Sequence, residues 1–573
     1  MPDAPTAPAG VTLDDKYTLA SGRVFLTGTQ ALVRLPMMQR QRDLAAGLNT
    51  ACFISGYRGS PLGMFDQQLW QARKHLQQHH VHFQPGVNED LAATALWGTQ
   101  QSNLFGDGKY DGVYGMWYGK GPGVDRTGDV FRHANTAGTA PHGGVLALAG
   151  DDHAAKSSTS AHQCEYAFMD AMIPTLSPSG VQEFLDFGLI GWALSRYSGC
   201  WVGFKCVTDT VESTASVYVD PHRIQIHQPT DFELPPGGLN IRWNGALDMV
   251  EQEERHHRWK IPAAIAFARA NGLNRVVLDG PKRRFGIVTT GKSYLDVRQA
   301  LEELGIDEAM ARDIGLSIYK VGMVWPLEPE GIRRFAEGLE EILVVEEKRP
   351  VIEHQLKELL YGWRADVRPV INGKYDEQGT WILPSMGELS PAQIARAIAG
   401  RLKRFHGSPR IEQRLAWLDH KDRALAGEAT PVKRIPTFCS GCPHNSSTKV
   451  PEGSRALAGI GCHYMSQWMD RETATYTQMG GEGASWVGQA PFSKTKHVFQ
   501  NIGDGTYYHS GLLAIRQAVA AKVNMTYKIL YNDAVAMTGG QPVDGPQDPA
   551  MISRRIAAEG VTPISVGTDE PDK

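Results

Sequence analysis

No stretch of the 573 residues comes near the roughly 18 uninterrupted apolar residues that a membrane-crossing helix needs. Charge of one sign is not in excess either. The 58 basic and 62 acidic side chains leave a net charge of −4 and a pI near 6.6, which gives no general reason to expect nucleic acid or an anionic membrane as partner. Cysteine is scarce: seven in the chain do not make a disulfide framework, and a reducing cytoplasm is the expected home. Residues 1–10 are rich in proline and alanine and carry an early acid, Asp3, where a secretory leader would have a basic and then an apolar segment. No internal repeat or low-complexity tract stands out. What the chain does have is glycine, 61 residues of it, with 42% hydrophobic content, the balance of a turn-rich α/β enzyme.

The length suits about three domains. Residues 1–16 read as a loose tail, and 17–231 alternate short apolar strands with helical stretches, as in Ala51–Ser55 and Gly144–Ala149. Residues 232–283 read as a polar linker with a helix, whose charged run Glu251–Lys260 is most simply a solvated face. A second α/β unit spans 284–400, from the strand-and-glycine-turn Arg284–Gly291 onward, and a basic helical linker covers 401–434. The third unit, 435–573, contains one last expected strand at Thr562–Gly567 and reads as cut short. A fragment, or one half of a longer polypeptide, is therefore the expectation.

The densest chemical signal lies in that third unit. The apolar run His497–Ile502 reads as a buried strand leading into Gly503-Asp504-Gly505, and a helical segment, Gly511–Val519, follows. A second strand, Thr526–Tyr531, then delivers Asn532, with 26 residues between it and Gly505. A right-handed crossover would open both strand tips onto one edge of a parallel sheet, with Asp504 and Asn532 side by side. Two hard oxygen donors among glycines suit a magnesium ion holding a diphosphate. The pattern resembles the thiamine diphosphate motif, which implies a third ligand from the Ala534 carbonyl and adds weight to Met537–Pro542, including Thr538, behind it. The plain alternative is an ordinary βαβ turn.

Cysteines open the same unit, as Cys439-Ser440-Gly441-Cys442-Pro443-His444 and Gly459-Ile460-Gly461-Cys462-His463. Three readings stand: a zinc knuckle completed by His444 or His463, a redox dithiol, or a 4Fe–4S cluster whose fourth ligand lies outside the chain. The other four, Cys52, Cys164, Cys200 and Cys206, read as small buried apolar residues.

Taken together, these segments resemble the indolepyruvate ferredoxin oxidoreductases, within the 2-oxoacid:ferredoxin oxidoreductase family, over nearly the whole chain. Gly56-Tyr57-Arg58-Gly59-Ser60-Pro61 is similar to the family's substrate loop, with Arg58 where proline is common. Asn88-Glu89, Ala149–Asp152 with Lys156–Ser158, and Val344–Glu347 with Glu353–Gln355 match further elements. The resemblance implies three parallel-sheet α/β domains, of pyrimidine-binding, transketolase C-terminal and diphosphate-binding type, the last incomplete. It implies oxidative decarboxylation of an aryl or branched 2-oxoacid, indolepyruvate-like, with coenzyme A taking the acyl group and ferredoxin the electrons. Glu89 would then contact the cofactor's aminopyrimidine and Ser60 the substrate. Gly503, Asp504, Gly505, Asn532 and Thr538 would bind thiamine diphosphate and Mg2+, and Cys439, Cys442 and Cys462 the 4Fe–4S cluster. The family's ferredoxin-like module and a domain usually supplied by a second subunit are absent from the sequence, so a missing C-terminal or second-subunit segment is an expected partner. A homodimer or larger oligomer is also expected.

Each of these residues has a duller role available. Glu89 would serve as a helix cap near Leu91, and Ser60 as a turn former. Lys120, in Gly119–Gly123, would meet either an anion or only water. His75, His79, His80 and His82 contain an i,i+4 pair but read as a solvated helix end. Two other functions remain: a non-oxidative thiamine-dependent 2-oxoacid decarboxylase, and a non-catalytic structural half awaiting partner segments.

Overall fold

The computed structural model describes residues 10–242, 248–426 and 434–568. The first nine residues of the expected tail, part of the expected helical linker and the final five residues lie outside them. The chain divides into two compact units, residues 1–428 and 429–573.

Among the described residues, the first unit holds fourteen strands: β1 (Gly22–Thr27), β2 (Thr50–Gly56), β3 (Val81–Phe83), β4 (Gly112–Lys120), β5 (Val145–Asp151), β6 (Thr175–Leu176), β7 (Val202–Val207), β8 (Thr214–Val219), β9 (Arg275–Leu278), β10 (Phe285–Thr290), β11 (Leu316–Val321), β12 (Met323–Trp325), β13 (Glu341–Val345) and β14 (Val370–Asn372). Seven of them form a sheet in the order β12-β6-β7-β5-β4-β2-β3, parallel except at its β12 edge. Five more form a second sheet, β14-β13-β10-β11-β9, parallel except for β9, and β1 pairs with β8 in a two-stranded ribbon. Strands such as Val145–Asp151 are buried at every position because helices cover both faces of a parallel sheet, so their sequences run apolar without alternation. Separate cores fill the two faces of each sheet, one around Leu32, Phe184 and Trp192, its opposite around Trp117, Phe131 and Trp201.

Local chemistry sets the helix boundaries. Thr27 and Gln30 form a reciprocal capping box at the start of the helix Gly28–Ala45. The Val344–Glu347 segment has a similar structural duty. Buried Glu346 accepts from the N–H groups of Val351, Ile352 and Glu353 at 2.9–3.0 Å and so anchors the helix Ile352–Tyr361.

Several expectations from sequence are corrected. The five-stranded sheet begins at Arg275, inside the stretch read as a linker, and β12 lends the first sheet an edge strand from far downstream. The helix Pro409–Ala426, also read as linker, buries Ile411 and Leu418 against the five-stranded sheet's core. The charged run ends in a turn of π-helix, His256–Lys260, that turns His256 and Lys260 inward. Lys260 Nζ donates to the carbonyls of Asn135 and Thr136 at 2.8 and 3.0 Å, and burial lowers its pKa to about 8. Charge alone gave no sign of this, because the ammonium caps the carbonyl end of another helix, Gly128–Ala137.

The second unit is built on three parallel strands, β15 (Ala456–Leu457), β16 (Val498–Gly503) and β17 (Met525–Leu530), in that order. Its core packs Ile502, Tyr507, Ile515, Ile552 and Ile556 on one side and Leu457, Trp486 and Val498 on the other. Thr562–Gly567 is not a strand. Pro563 lacks an amide hydrogen for a ladder, and Ile564 instead packs against the core. Among the described residues, no helix is long and apolar enough to cross a membrane.

Candidate cofactor and cysteine sites

In the second unit, the register pairs Gly503 with Leu530, so Asp504 stands one residue beyond β16 and Asn532 two residues beyond β17, on the same edge. Asp504 starts a helical stretch seven residues earlier than the sequence pattern suggested, and its carboxylate lies where backbone N–H groups point outward. Its Oδ1 accepts from Gly505 N at 2.8 Å and its Oδ2 from Asn532 N at 3.0 Å and Asp533 N at 2.7 Å. Burial raises its pKa and these amides oppose the rise. Asn532 is exposed and its Oδ1 accepts from Ala534 N at 3.2 Å. The Thr538 hydroxyl lies 3.0 Å from Gln541 Oε1, within the turn that follows. A carboxylate, an amide oxygen and backbone carbonyls at one rim make a donor set of the type that hard divalent ions take.

The cysteine turn is held by backbone bonds: Cys442 N donates to the Cys439 carbonyl at 3.1 Å, and Asn445 Nδ2 donates to both cysteine carbonyls. Cys439 is exposed, while Cys442 and Cys462 are half-buried. Burial pushes the Cys462 thiol up, with further contributions from Cys442 and Cys439, so the three sulfurs feel one another. Cys442 Sγ lies 3.2 Å from His444 Nδ1, and the His444 ring stacks on His463 at 6.0 Å between centroids. Among the described residues these thiols and imidazoles do not form a set whose ligand atoms all lie within 4.8 Å of one another. That spacing disfavours a preformed tetrahedral zinc site, whose ligands stand about 2.0–2.3 Å from the ion.

Sequence reasoning missed Glu482. It is fully buried, with Oε1 3.1 Å from Ile460 N and Oε2 2.7 Å from Gly480 N, and burial raises its pKa to about 7. No spacing rule ties a glutamate among glycines to a turn 22 residues upstream.

In the first unit, the parallel strands bring Ser60, Lys120 and Asp152 to the carboxyl edge of the seven-stranded sheet, with Glu89 in the segment that follows β3. The helix begins at Glu89, and Asn88 caps it: its Oδ1 accepts from Leu91 N at 3.1 Å. The Glu89 side chain is buried and turns toward Gly123, where an added Cβ would lie 2.9 Å from Oε1. Ser60 is half-buried. Arg58 points inward, its Nε 3.1 Å from Asp66 Oδ2. Lys120 is half-buried, and its Nζ donates to the Ser157 carbonyl at 2.8 Å, which takes up one of its three donors. The histidines are likewise engaged locally: His79 Nδ1 lies 2.9 Å from the His75 carbonyl and His80 Nδ1 2.9 Å from Tyr110 Oη.

Cys164 is more than an apolar filler. With Asp151 and Glu165 it forms a buried set whose ligand atoms lie within 4.8 Å of one another. Lys205 occupies the place a cation would take, bonding to Glu165 and standing 3.5 Å from Asp151 Oδ2.

Residues 274–428 match the family model described as indolepyruvate ferredoxin oxidoreductase middle domain, and residues 459–567 match that of the thiamine pyrophosphate enzyme C-terminal TPP binding domain. The first match spans the five-stranded sheet through the helix Pro409–Ala426; the second spans Cys462, Asp504 and Asn532. The indolepyruvate oxidoreductase subunit IorA of Methanothermobacter thermautotrophicus is 26% identical over 575 residues, covering 96% of this chain and 83% of its own. That of Pyrococcus horikoshii is 25% identical over 564 residues, covering 94% and 79%. A solved 2-oxoglutarate:ferredoxin oxidoreductase from Magnetococcus marinus is 15% identical, with a TM-score of 0.49 over 66% of this chain and 65% of that one. Two domain matches and relatedness along almost the entire sequence agree: the chain is similar throughout to the indolepyruvate ferredoxin oxidoreductases.

Proposed function

We propose that this chain carries out the thiamine diphosphate-dependent oxidative decarboxylation of an aryl or branched 2-oxoacid, yielding an acyl-CoA and passing electrons through iron–sulfur to ferredoxin. The observation that carries the reading is the junction of Asp504 and Asn532 at the tips of two adjacent parallel strands, inside the segment that matches a TPP binding domain.

When bound, thiamine diphosphate supplies the electron sink for decarboxylation; the chain supplies orientation, charge and proton control. Asp504 and Asn532 oxygens, with the Ala534 carbonyl, would hold Mg2+ against the diphosphate, and the Gly503–Gly505 backbone and Thr538 would line the same rim. The amides bonded to Asp504 fix its carboxylate in place, so little ordering is left to be done on binding. Glu89 would hold the proton at the aminopyrimidine N1′, and Ser60 would orient the substrate carbonyl. Cys439, Cys442 and Cys462 would ligate the 4Fe–4S cluster with a fourth ligand from elsewhere.

Titrating the chain with thiamine diphosphate and Mg2+ in a calorimeter tests the first half of the proposal, and the absence of Mg2+-dependent binding would overturn it. Indolepyruvate, phenylpyruvate and a branched-chain 2-oxoacid, each with coenzyme A and a low-potential dye in place of ferredoxin, test the second. Acyl-CoA formation coupled to dye reduction is expected. Aldehyde release without need of coenzyme A or dye would mark a non-oxidative decarboxylase instead.

A further inference from the structure

Two turns in the second unit have no covalent reason to keep a fixed relation. One is Gly459–Cys462, which presents Cys462; the other is the glycine-rich turn around Gly480–Gly483. The Glu482 carboxylate spans them, one oxygen on Ile460 N at 3.1 Å and the other on Gly480 N at 2.7 Å. Both turns are shaped to let it do so. Gly480 has φ +89°, and an added Cβ there would lie 1.9 Å from Ser510 Oγ. A Cβ on Gly459 would lie 2.9 Å from Glu482 Cγ and 2.4 Å from the Asn501 carbonyl.

The other end of the Ile460 residue is tied as well. The Thr506 hydroxyl donates to the Ile460 carbonyl at 2.9 Å, and Thr506 lies two residues after Asp504. Ile460 is thus gripped at its amide by Glu482 and at its carbonyl by the turn that carries Asp504. The Glu482 main chain is itself held, its carbonyl accepting from Tyr527 Oη at 3.0 Å on β17. Its two bonds to backbone amides repay its burial, and His509 adds a nearby charge that favours the carboxylate.

We infer that Glu482 is a positioning residue: its carboxylate clamps the Gly459–Cys462 turn to the glycine turn at Gly480, fixing where the Cys462 sulfur stands relative to the Asp504 rim. A side chain that merely filled space there would need no two-oxygen acceptor, and a methionine or glutamine of similar volume would serve as well. The iron readout of the inference rests on the cluster reading given under the proposed function; the thiol readout does not.

The test uses the full chain, prepared without metal, and follows the alkylation rate of each cysteine by mass spectrometry. In Glu482→Ala, Cys462 should react about tenfold faster than in the unsubstituted chain, as expected for a cheaper local opening, while Cys439 keeps its rate. Glu482→Gln retains one acceptor oxygen and should fall between the two. Thr506→Val, which removes the second grip without touching Glu482, should also free Cys462 selectively. If Glu482→Ala fails to fold, as judged by circular dichroism, the glutamine and valine variants carry the same comparison. Cys462 rates unchanged in the folded variants, or Cys439 accelerated equally, would overturn the clamp. Anaerobic reconstitution with iron and sulfide is the second arm. Less bound iron in Glu482→Ala than in the unsubstituted chain supports the inference, whereas equal iron in both overturns it. An unsubstituted chain that takes up no iron would overturn the cluster assignment, leaving the clamp to stand or fall on the thiol rates.

Discussion

Asn532 donates its backbone N–H to Asp504 Oδ2 at 3.0 Å, so that a residue at the tip of β17 is stitched to the carboxylate that ends β16. Asp504→Asn breaks that stitch twice over. The amide presents Nδ2 where an amide donor already points, and the rim loses that side chain's formal negative charge. Binding of thiamine diphosphate with Mg2+ should weaken by more than about 100-fold, beyond the 10–100-fold usual for an outer-shell loss. Stability should fall by about 1–3 kcal/mol as buried donors go unsatisfied. Calorimetric titration and urea denaturation read the two effects separately, and full-strength binding by the variant would remove Asp504 from the metal site.

Asn88 caps the helix that begins at Glu89, and under the proposed function Glu89 holds the cofactor's proton. Glu89→Gln should lower turnover by about 10²–10⁴-fold, the usual scale for loss of a general acid–base group, with cofactor affinity changed only a few-fold. Asn88→Ala should instead cost about 1 kcal/mol of stability through the lost cap, with no comparable loss of turnover per folded molecule. Equal kinetic damage from the two substitutions would assign Glu89 to the helix end alone.

Glu346 makes stability depend on pH in a stated direction. Burial lifts its pKa from 4.5 to about 7, although three backbone N–H groups oppose the shift. Between those values the folded chain keeps a proton that the unfolded chain has released. Its stabilising contribution is therefore whole below 4.5 and is lost as pH rises through 7. Across that window the chain should lose about 3 kcal/mol relative to Glu346→Gln, taking about 1.4 kcal/mol per pH unit. Urea midpoints for the two proteins at a series of pH values check this; parallel curves would show that the carboxyl is ionised throughout.

Lys205 supplies the counter-charge for Asp151 and Glu165. Lys205→Met leaves two buried carboxylates beside the Cys164 thiol, and about 3–5 kcal/mol should be lost, the scale for breaking a buried pair by removing one partner. Glu165→Gln added to that variant should recover part of the loss, because one stranded charge is then gone. Thermal or urea unfolding of the single and double variants decides it, and strict additivity would mean the groups do not act together.

The strand tips were legible because parallel pairing converts a sequence interval into a spatial one. A glycine turn, a helix and a second apolar strand fix which end Asn532 must occupy. The triad Asp151, Cys164 and Glu165 was not legible, since its members come from a strand, a loop end and a helix start that only packing brings together. Lys260 was misread for the opposite reason: its neighbours are solvated, and a change to π-helix turns this one ammonium inward. Thr562–Gly567 has a strand's composition, yet Pro563 lacks the amide that a ladder requires. Glu482 carried no signal at all, because its function is to grip backbone, and backbone is the same in every sequence.

Four of the seven thiols, Cys52, Cys164, Cys200 and Cys206, are sealed inside the first unit, which leaves Cys439, Cys442 and Cys462 as the sulfurs that reach the surface. A maleimide dye added to the native chain would therefore decorate the second unit alone. One covalent fluorophore would then report the condition of the cysteine turn without interference from the rest of the molecule, and storage under air would injure the protein there before anywhere else.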